Sequence, residues 1–167
     1  MVYILYSELT QKIDTLTHLL NRRSYESRLA SLRGHAVIYY LDVDEFKSVN
    51  DTFGHGVGDA VLAEVGSTIY AVFSKVGYCY RIGGDEFCVI AQISDTAAEK
   101  YLSEFLRELT ARRVKNEHLP HVSVGYACFN PVLGSVEDAI KRADRMMYHY
   151  KRKLKSEALT NDDTVKS

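Results

Sequence analysis

The chain has 167 residues, of which 46% are hydrophobic, and this suits one compact domain with a core of ordinary size. Its 21 basic and 22 acidic residues nearly cancel, so the overall charge gives no reason to expect nucleic acid or a membrane as the main partner. No apolar run approaches the ~20 residues that span a bilayer, so no membrane contact is expected from this chain itself. The first residues lack a secretion signal and the three cysteines lack metal-type spacing, which together predict a cytoplasmic chain.

The first half of the chain alternates helical and strand patterns. Residues 1–13 place apolar side chains three or four apart and are interpreted as a connecting helix. The nearly continuous apolar run over residues 35–43 predicts a central strand that is buried on both faces. Residues 57–73 then carry apolar side chains on one helical face, which predicts a long amphipathic helix.

The second half begins with a predicted hairpin. Residues 78–82 and 86–90 are strand-like runs around two glycines, and a two-residue turn there would set Cys79 opposite Cys88. A helix over about residues 96–113, a strand over 121–128 and a last helix from about residue 135 follow. Residues 156–167 are polar and are interpreted as a disordered tail. This mixed order predicts an α+β sheet flanked by helices.

Two pairs of acidic residues stand where chemistry could occur. Asp42 and Asp44 alternate at the end of the central strand, so both carboxylates are expected on one face. Asp85 and Glu86 follow the glycine turn, and a hairpin beside the first strand would bring one or both of them near Asp42. Mg²⁺ prefers such a site, with few carboxylates plus phosphates and water. Taken singly, each pair is more often a polar strand end or a solubilising hairpin tip.

Several cationic side chains could bind phosphates. The chain contains neither the phosphate loop of P-loop enzymes nor the dinucleotide-binding glycine fingerprint. Residues 44–47 offer backbone N–H groups at the start of a helical turn together with the Lys47 ammonium. Lys151 and Lys155 lie four apart and share a face of the last helix, although for either one alone a solvated helix end is the more common explanation.

Four blocks of the sequence follow one another in the order of the motifs of a known family. The family opening, Asp-x-Leu-Thr-Gly-Leu-x-Asn-Arg-Arg, is matched over residues 14–23 with His18 in place of the glycine. Asp-x-Asp-x-Phe-Lys-x-x-Asn-Asp-x-x-Gly-His-x-x-Gly-Asp is complete over residues 42–59, and Arg-Ile-Gly-Gly-Asp-Glu-Phe is intact at 81–87. Ser-Val-Gly-Tyr-Ala at 123–127 resembles a later strand. Together the four blocks resemble the GGDEF family of diguanylate cyclases. The resemblance covers residues 14–155 and implies a ferredoxin-like, palm-type cyclase fold with a mostly antiparallel sheet of about five strands.

The resemblance also implies roles for the matched residues. Asp42, the Val43 carbonyl and Asp85 match metal ligands, for two Mg²⁺ or Mn²⁺ ions at each GTP site. Asn50 and Asp59 match the pair that reads guanine, because a carboxylate accepts hydrogen bonds from a ring N–H and an amine that adenine does not present together. The other matched substrate-binding positions are Phe46, Lys47, His55, Gly84, Lys151 and Lys155.

The implied activity joins two GTP molecules into cyclic di-GMP and two pyrophosphates, by attack of each 3′-hydroxyl on the other α-phosphate. Asp85 or Glu86 would accept the proton, with Lys47 assisting at the phosphates, and the sequence does not choose between the two acids. One GTP per domain implies a homodimer, and a longer parent protein with a regulatory or sensory domain, which could be membrane-anchored, is expected. The alternative is a GGDEF domain that binds GTP or another nucleotide without turnover and signals through protein contacts.

The sequence departs from the family pattern at two further places. The inhibitory product site, Arg-x-x-Asp, is replaced by Ser-Lys-Val-Gly at residues 74–77, so product inhibition through that site is not expected. Lys155 stands where the family usually has arginine, and Tyr150-Lys151 is followed by Arg-Lys-Leu-Lys rather than an ending with Gly-Arg-Asn. The departures in the last helix would alter the affinity for the triphosphate.

Overall fold

The computed structural model describes residues 11–165, with the side chains described as far as Ser156. Its helices are α1 (Arg22–Ser31), α2 (Phe46–Phe53), α3 (His55–Phe73), α4 (Ala98–Lys115) and α5 (Val136–Val165). Its strands are β1 (Ala36–Val43), β2 (Gly77–Arg81), β3 (Glu86–Ala91) and β4 (Val122–Phe129). The connecting helix predicted over residues 1–13 lies almost wholly outside the described residues.

The strands form one sheet in the order β2-β3-β1-β4, and every neighbouring pair is antiparallel. This confirms the predicted α+β class with an antiparallel sheet flanked by helices. The described residues contain four strands in the sheet rather than about five. Leu20 adds only a single parallel bridge to Tyr80 at the β2 edge.

The central strand β1 is buried on both faces, as its apolar sequence predicts. Val37, Tyr39 and Leu41 belong to a core that also contains α3 and α4 side chains, and the Tyr39 hydroxyl donates to the Ala98 carbonyl at 2.9 Å. Ala36 and Ile38 belong to the core of the opposite face, together with side chains of α1 and α5. Because side chains alternate along a strand, the residues that follow on this second face, at the end of β1, point toward α5.

Helix α3 has the length and mean hydropathy of a membrane-spanning helix, by composition alone. Its side chains Val61, Leu62, Val65 and Ile69 are each at most 2% exposed and pack into the core on one face of the sheet. The apolar face of α3 is therefore accounted for by packing within the domain, which is what its amphipathic pattern predicts.

The hairpin between β2 and β3 differs in register from the two-residue turn considered above. Cys79 lies opposite Val89, and Cys88 lies opposite Tyr80. The reason is a longer loop, because the N–H groups of both Ile82 and Gly83 donate to the Glu86 carbonyl, at 2.9 and 3.2 Å. Cys79 and Cys88 consequently belong to the cores on opposite faces of the sheet, as free thiols.

Helix α5 crosses β4 at very short range. A Cβ atom built on Gly125 would lie 2.1 Å from the Ala143 carbonyl oxygen and 2.2 Å from the Met147 nitrogen. The helix also continues to Val165, whereas a disordered tail was predicted from residue 156. No glycine or proline follows Gly134, so no residue in this stretch stops the helix. The predicted domain boundaries remain predictions.

His18, which replaces the glycine of the family opening, has a φ of 58°. This left-handed conformation is the one in which glycine is favoured, because a side chain there meets the backbone. The turn is held by hydrogen bonds from the His18 N–H to the Asp14 carbonyl at 2.9 Å and from the Asp14 N–H to the Leu19 carbonyl at 2.8 Å. Residue 18 thus has the left-handed conformation although it is a histidine rather than a glycine.

Candidate active site

The acids at the end of β1 both face α5. Lys151 of α5 forms an ion pair with Asp42, and its ammonium lies 3.6 Å from an Asp44 carboxylate oxygen. Asp44 is only 8% exposed, and the Ser123 hydroxyl of β4 lies 2.8 Å from each of its two carboxylate oxygens. The alternation of the strand therefore produces the shared face that the sequence predicted.

The hairpin lies directly beside these acids. Asp42 is the register partner of Glu86, and the Val43 N–H donates to the Asp85 carbonyl at 3.1 Å. The Glu86 side chain folds back over the turn, since a Cβ on Gly83 would lie 2.5 Å from its Oε2 atom. Asp42 and Glu86, which are 44 positions apart in the sequence, thus place their carboxylates at the same end of the sheet.

Burial and neighbouring carboxylates raise the pKa of Asp85 and of Glu86. Partial burial, and then the neighbouring Asp42, raise the pKa of Asp85, and partial burial, Asp42 and Asp85 raise that of Glu86. Burial also raises the pKa of Asp44, against the opposing effect of the Ser123 hydroxyl and Lys151. Partial burial lowers the pKa of Lys151, but its contacts with Asp42 and Asp44 outweigh this and raise it. The cluster is therefore short of positive charge and attracts cations.

Within the described part of the chain, no three His, Cys, Asp or Glu side chains are grouped closely enough to form a metal cage. Asp42, the Val43 carbonyl and Asp85 lie on neighbouring segments at one end of the sheet, and the donors that they offer are all oxygen atoms. Such a set fits Mg²⁺, which keeps several waters and completes its shell with phosphate oxygens. It does not fit a closed structural site.

The loop between β1 and α2 provides a place for phosphates. Glu45 has a left-handed φ of 54°, and α2 begins at the next residue, Phe46, so the first N–H groups of α2 stand next to Asp44. Lys155 of α5 reaches this loop and pairs with Glu45 at 3.0 Å. Lys151 and Lys155, one turn apart, thus contact the acids of β1 and the loop that follows it.

The predicted guanine-reading residues lie where α2 packs against α3. The Asn50 side chain lies directly over Gly58, because a Cβ there would be 1.9 Å from its Oδ1 atom and 3.4 Å from the Phe46 ring. Asp59, the next residue of α3, is exposed. Asn50 therefore lies beside Gly58, the residue before Asp59, at the contact between α2 and α3, and Phe46 is partly buried there.

The structure does not join every predicted site residue to this cluster. Lys47 and His55 are exposed, and they form no ion pair or side-chain hydrogen bond within the described residues. Gly84 is exposed at the hairpin tip, and no described atom lies within 4 Å of a Cβ built on it. Their assignment to substrate binding remains a prediction from the family pattern.

Sequence reasoning missed the contact that holds the hairpin in place. The Arg81 guanidinium donates to the Gly84 carbonyl at 2.8 and 3.2 Å, and to the Asp14 carboxylate at 3.1 and 3.3 Å. Partial burial opposes ionisation of Asp14, but hydrogen bonds from Thr17 and Arg81 lower its pKa. In the sequence, the arginine shortly before the glycine turn and the aspartate at the start of the first family block could have indicated this contact.

The contact between Gly58 and Asn50 leads to a first prediction. The family pattern implies that Asn50 binds the guanine of GTP, so Gly58→Ala, which would displace the Asn50 amide, is expected to raise the KM for GTP by about tenfold, the equivalent of one or two lost hydrogen bonds. Steady-state kinetics would measure this change, and kcat at saturating GTP should change much less. Gly56→Ala is the matched control, because no described atom lies within 4 Å of a Cβ there. An unchanged KM for Gly58→Ala would contradict the predicted role of Asn50 in binding GTP.

The sequence matches the family described as "Diguanylate cyclase, GGDEF domain" over residues 11–157. It is 34% identical over 151 residues to "Probable diguanylate cyclase DgcC" of Escherichia coli, covering 83% of this chain and 40% of that protein. It is 30% identical over 149 residues to "Diguanylate cyclase" of Vibrio cholerae, covering 83% of this chain and 46% of that protein. The chain thus spans less than half the length of these two relatives.

Solved structures show the same similarity. The GGDEF domain of DgcB from Caulobacter crescentus in complex with c-di-GMP superposes with a TM-score of 0.74 at 32% identity, covering 85% of this chain and 91% of that one. Diguanylate cyclase SiaD, in complex with its activator SiaC from Pseudomonas aeruginosa, has a TM-score of 0.74 at 30% identity, covering 92% and 64%. The family match over most of the sequence, together with these structures, shows that the chain belongs to the GGDEF diguanylate cyclase family.

Proposed function

We propose that this domain is a catalytically competent diguanylate cyclase that condenses two GTP molecules into cyclic di-GMP and two pyrophosphates. The observation that carries the proposal is the meeting of Asp42, Asp85 and Lys151 at one edge of the sheet, next to the start of α2. A metal-dependent nucleotidyl transfer needs carboxylates for cations and ammonium groups for phosphates at one place, and this edge has both.

In the proposed reaction each domain binds one GTP. The first N–H groups of α2, Lys47, Lys151 and Lys155 bind the triphosphate. In the crevice between α2 and α3, Asn50 and Asp59 bind the guanine edge, which selects GTP over ATP. These contacts fix the α-phosphate at the open edge of the sheet, facing away from the core.

Asp42, the Val43 carbonyl and Asp85 would hold two Mg²⁺ or Mn²⁺ ions. When bound, such ions neutralise triphosphate charge and lower the pKa of an attacking hydroxyl. The 3′-hydroxyl of one GTP attacks the α-phosphate of the other, the bond to pyrophosphate breaks, and Asp85 or Glu86 takes the hydroxyl proton. Both acids have a raised pKa, which suits a proton acceptor better than an ordinary carboxylate does.

A second copy of the domain must complete the reaction, because one edge of the sheet provides one GTP site. We therefore propose a homodimer in which the two sites face each other. We also propose that a regulatory or sensory domain of a longer cytoplasmic or membrane-anchored protein controls this pairing, as the lengths of the relatives suggest. Turnover should then rise steeply with the concentration of the isolated domain.

The deciding experiment incubates the purified chain with GTP and Mg²⁺ over a range of protein concentrations and detects the product by mass spectrometry. We expect cyclic di-GMP, with a specific activity that increases with protein concentration and that increases further when a coiled coil is fused to the N-terminus. ATP in place of GTP should give no cyclic product, since it lacks the groups that Asp59 would bind.

The main alternative is a domain that binds GTP without turnover and signals through protein contacts. It predicts that GTP binds, in a calorimetric titration, but that no product forms even in the coiled-coil fusion. That result would show that the domain acts as a GTP receptor rather than as a cyclase. Failure of GTP to bind at all would contradict both.

A further inference from the structure

Lys151 provides the positive charge for a group of four neighbouring carboxylates. Asp42 is the register partner of Glu86, Asp85 precedes Glu86 in the hairpin, and Asp44 follows at the end of β1. Among the described residues, Lys151 is the one cation that forms an ion pair with any of these four side chains, since it pairs with Asp42 and lies 3.6 Å from Asp44. A single ammonium group thus offsets the mutual repulsion of the whole group.

The other cations near this end of the sheet are bound to other acids. The Arg81 guanidinium of the hairpin donates to the Asp14 carboxylate at 3.1 Å. Lys155, one turn further along α5, pairs with Glu45 at 3.0 Å. Neither cation therefore takes the place of Lys151 beside Asp42.

The pair between Lys151 and Asp42 is largely removed from water. Only 27% of the Lys151 side chain and 15% of the Asp42 side chain are exposed, so the pair is screened less than one at the surface. The close contact of α5 with Gly125 fixes the point from which the lysine stem starts. The four-carbon stem itself is flexible, so the ammonium is able to exchange Asp42 for another anion within its reach.

We propose that Lys151 is an internal counter-ion that keeps a divalent cation from binding to Asp42 until GTP is present. A cation that approached Asp42 alone would have to displace the ammonium and would then lie close to it, and both effects oppose binding. A triphosphate removes this obstacle, because its oxygens accept hydrogen bonds from the ammonium next to the start of α2.

The counter-ion makes the binding of metal and nucleotide cooperative. The nucleotide releases Asp42 for the cation, and the cation in turn leaves the ammonium free for the phosphates, so each raises the affinity for the other by the same factor. This role depends on the metal site of the proposed function but not on turnover.

Electron paramagnetic resonance would test the counter-ion role with Mn²⁺ alone, in the full chain and without nucleotide, because the signal of free Mn²⁺ decreases when the ion binds. Lys151→Met keeps the length of the stem and removes the charge, and we expect it to bind Mn²⁺ about tenfold more tightly than the wild type or better. Lys151→Gln should change the affinity in the same direction. Lys151→Arg keeps the charge and should bind Mn²⁺ as weakly as the wild type.

Lys155→Met is the matched control, since it removes the same charge one turn away, where the lysine pairs with the exposed Glu45 instead of Asp42. Its affinity for Mn²⁺ should stay within about twofold of that of the wild type, because exposed charges are screened. Lys151→Met/Asp85→Asn should lose the gain, which would locate the bound ion at this end of the sheet. Mn²⁺ should raise the melting temperature of Lys151→Met and leave that of the wild type unchanged.

The counter-ion role is contradicted if the wild type binds Mn²⁺ as tightly as Lys151→Met, if Lys155→Met gains as much affinity, if the gain survives Asp85→Asn, or if Mn²⁺ alone raises the melting temperature of the wild type. Formation of cyclic di-GMP is measured separately. A domain that forms the product with any of these results has the proposed function without the counter-ion. A domain whose Lys151→Met variant gains Mn²⁺ affinity, but that forms no product, has the counter-ion without the cyclase.

Discussion

Asp85→Asn is expected to lower the rate of cyclic di-GMP formation by about a thousandfold or more while leaving the domain folded. The substitution keeps the shape of the side chain but removes the charge that would bind a divalent cation next to Asp42. Product formation by mass spectrometry, at saturating GTP and at a protein concentration that gives full activity in the wild type, measures the effect.

Stability distinguishes this loss of chemistry from a loss of folding. Because its folded-state pKa is raised, the Asp85 carboxyl group destabilises the folded state when it ionises, and this cost is present above the raised pKa and absent below the ordinary one. Asp85→Asn should therefore melt at the same temperature as the wild type, or at a higher one, at neutral pH. Asp95→Asn is a matched control for activity, since Asp95 lies near His35 at the other end of β1. Appreciable turnover by Asp85→Asn would contradict the assigned role.

Gly125→Ala is expected to have the largest effect on stability, a loss of roughly 3 kcal/mol in the free energy of unfolding. The added methyl group would overlap the Ala143 carbonyl and the Met147 nitrogen, which are backbone atoms of α5 and cannot rotate away. The helix would have to move off β4. For a chain of this size the melting temperature should fall by about 6–12 °C, which differential scanning calorimetry would measure.

The same substitution should also weaken the site. Lys151 lies on α5 one turn beyond Met147, so a displaced helix carries Lys151 away from Asp42. Gly134→Ala is the matched control, because no described atom lies within 4 Å of a Cβ there and its melting temperature should stay close to that of the wild type. A wild-type melting temperature for Gly125→Ala would show that α5 and β4 are not packed as closely as described.

Sequence periodicity predicted most of the fold because each element carries its own signal. The apolar run of β1, the one-sided face of α3 and the glycine turn of the hairpin each gave the correct type of element. The hairpin register was different, because it depends on which backbone groups close the loop, and the presence of two glycines does not determine that. Helix α5 extends past residue 156, from which the polar composition predicted a tail, and no glycine or proline occurs there to stop it.

For the site, the sequence alone predicted the two acidic pairs and the lysines, but it did not predict which residues they contact. Asp44 bonds Ser123, Lys155 pairs with Glu45, and Arg81 joins Asp14 to the hairpin. Each of these contacts joins residues that are far apart in the sequence, and no local period indicates them. The family pattern placed Asp14 and Arg81 in motifs without showing that they meet.

The ion pair between Lys151 and Asp42 joins residues that are 109 positions apart. Contacts of such long sequence separation form slowly, because the entropy of closing the intervening loop must be lost first. During synthesis β1 leaves the ribosome long before α5, so Asp42 meets its cationic partner only when nearly the whole domain has emerged. A prematurely terminated chain would retain the glycine hairpin and both acidic pairs, yet it would lack the lysines of α5. Under the proposed function, such a chain would bind nucleotide more weakly than the completely translated one.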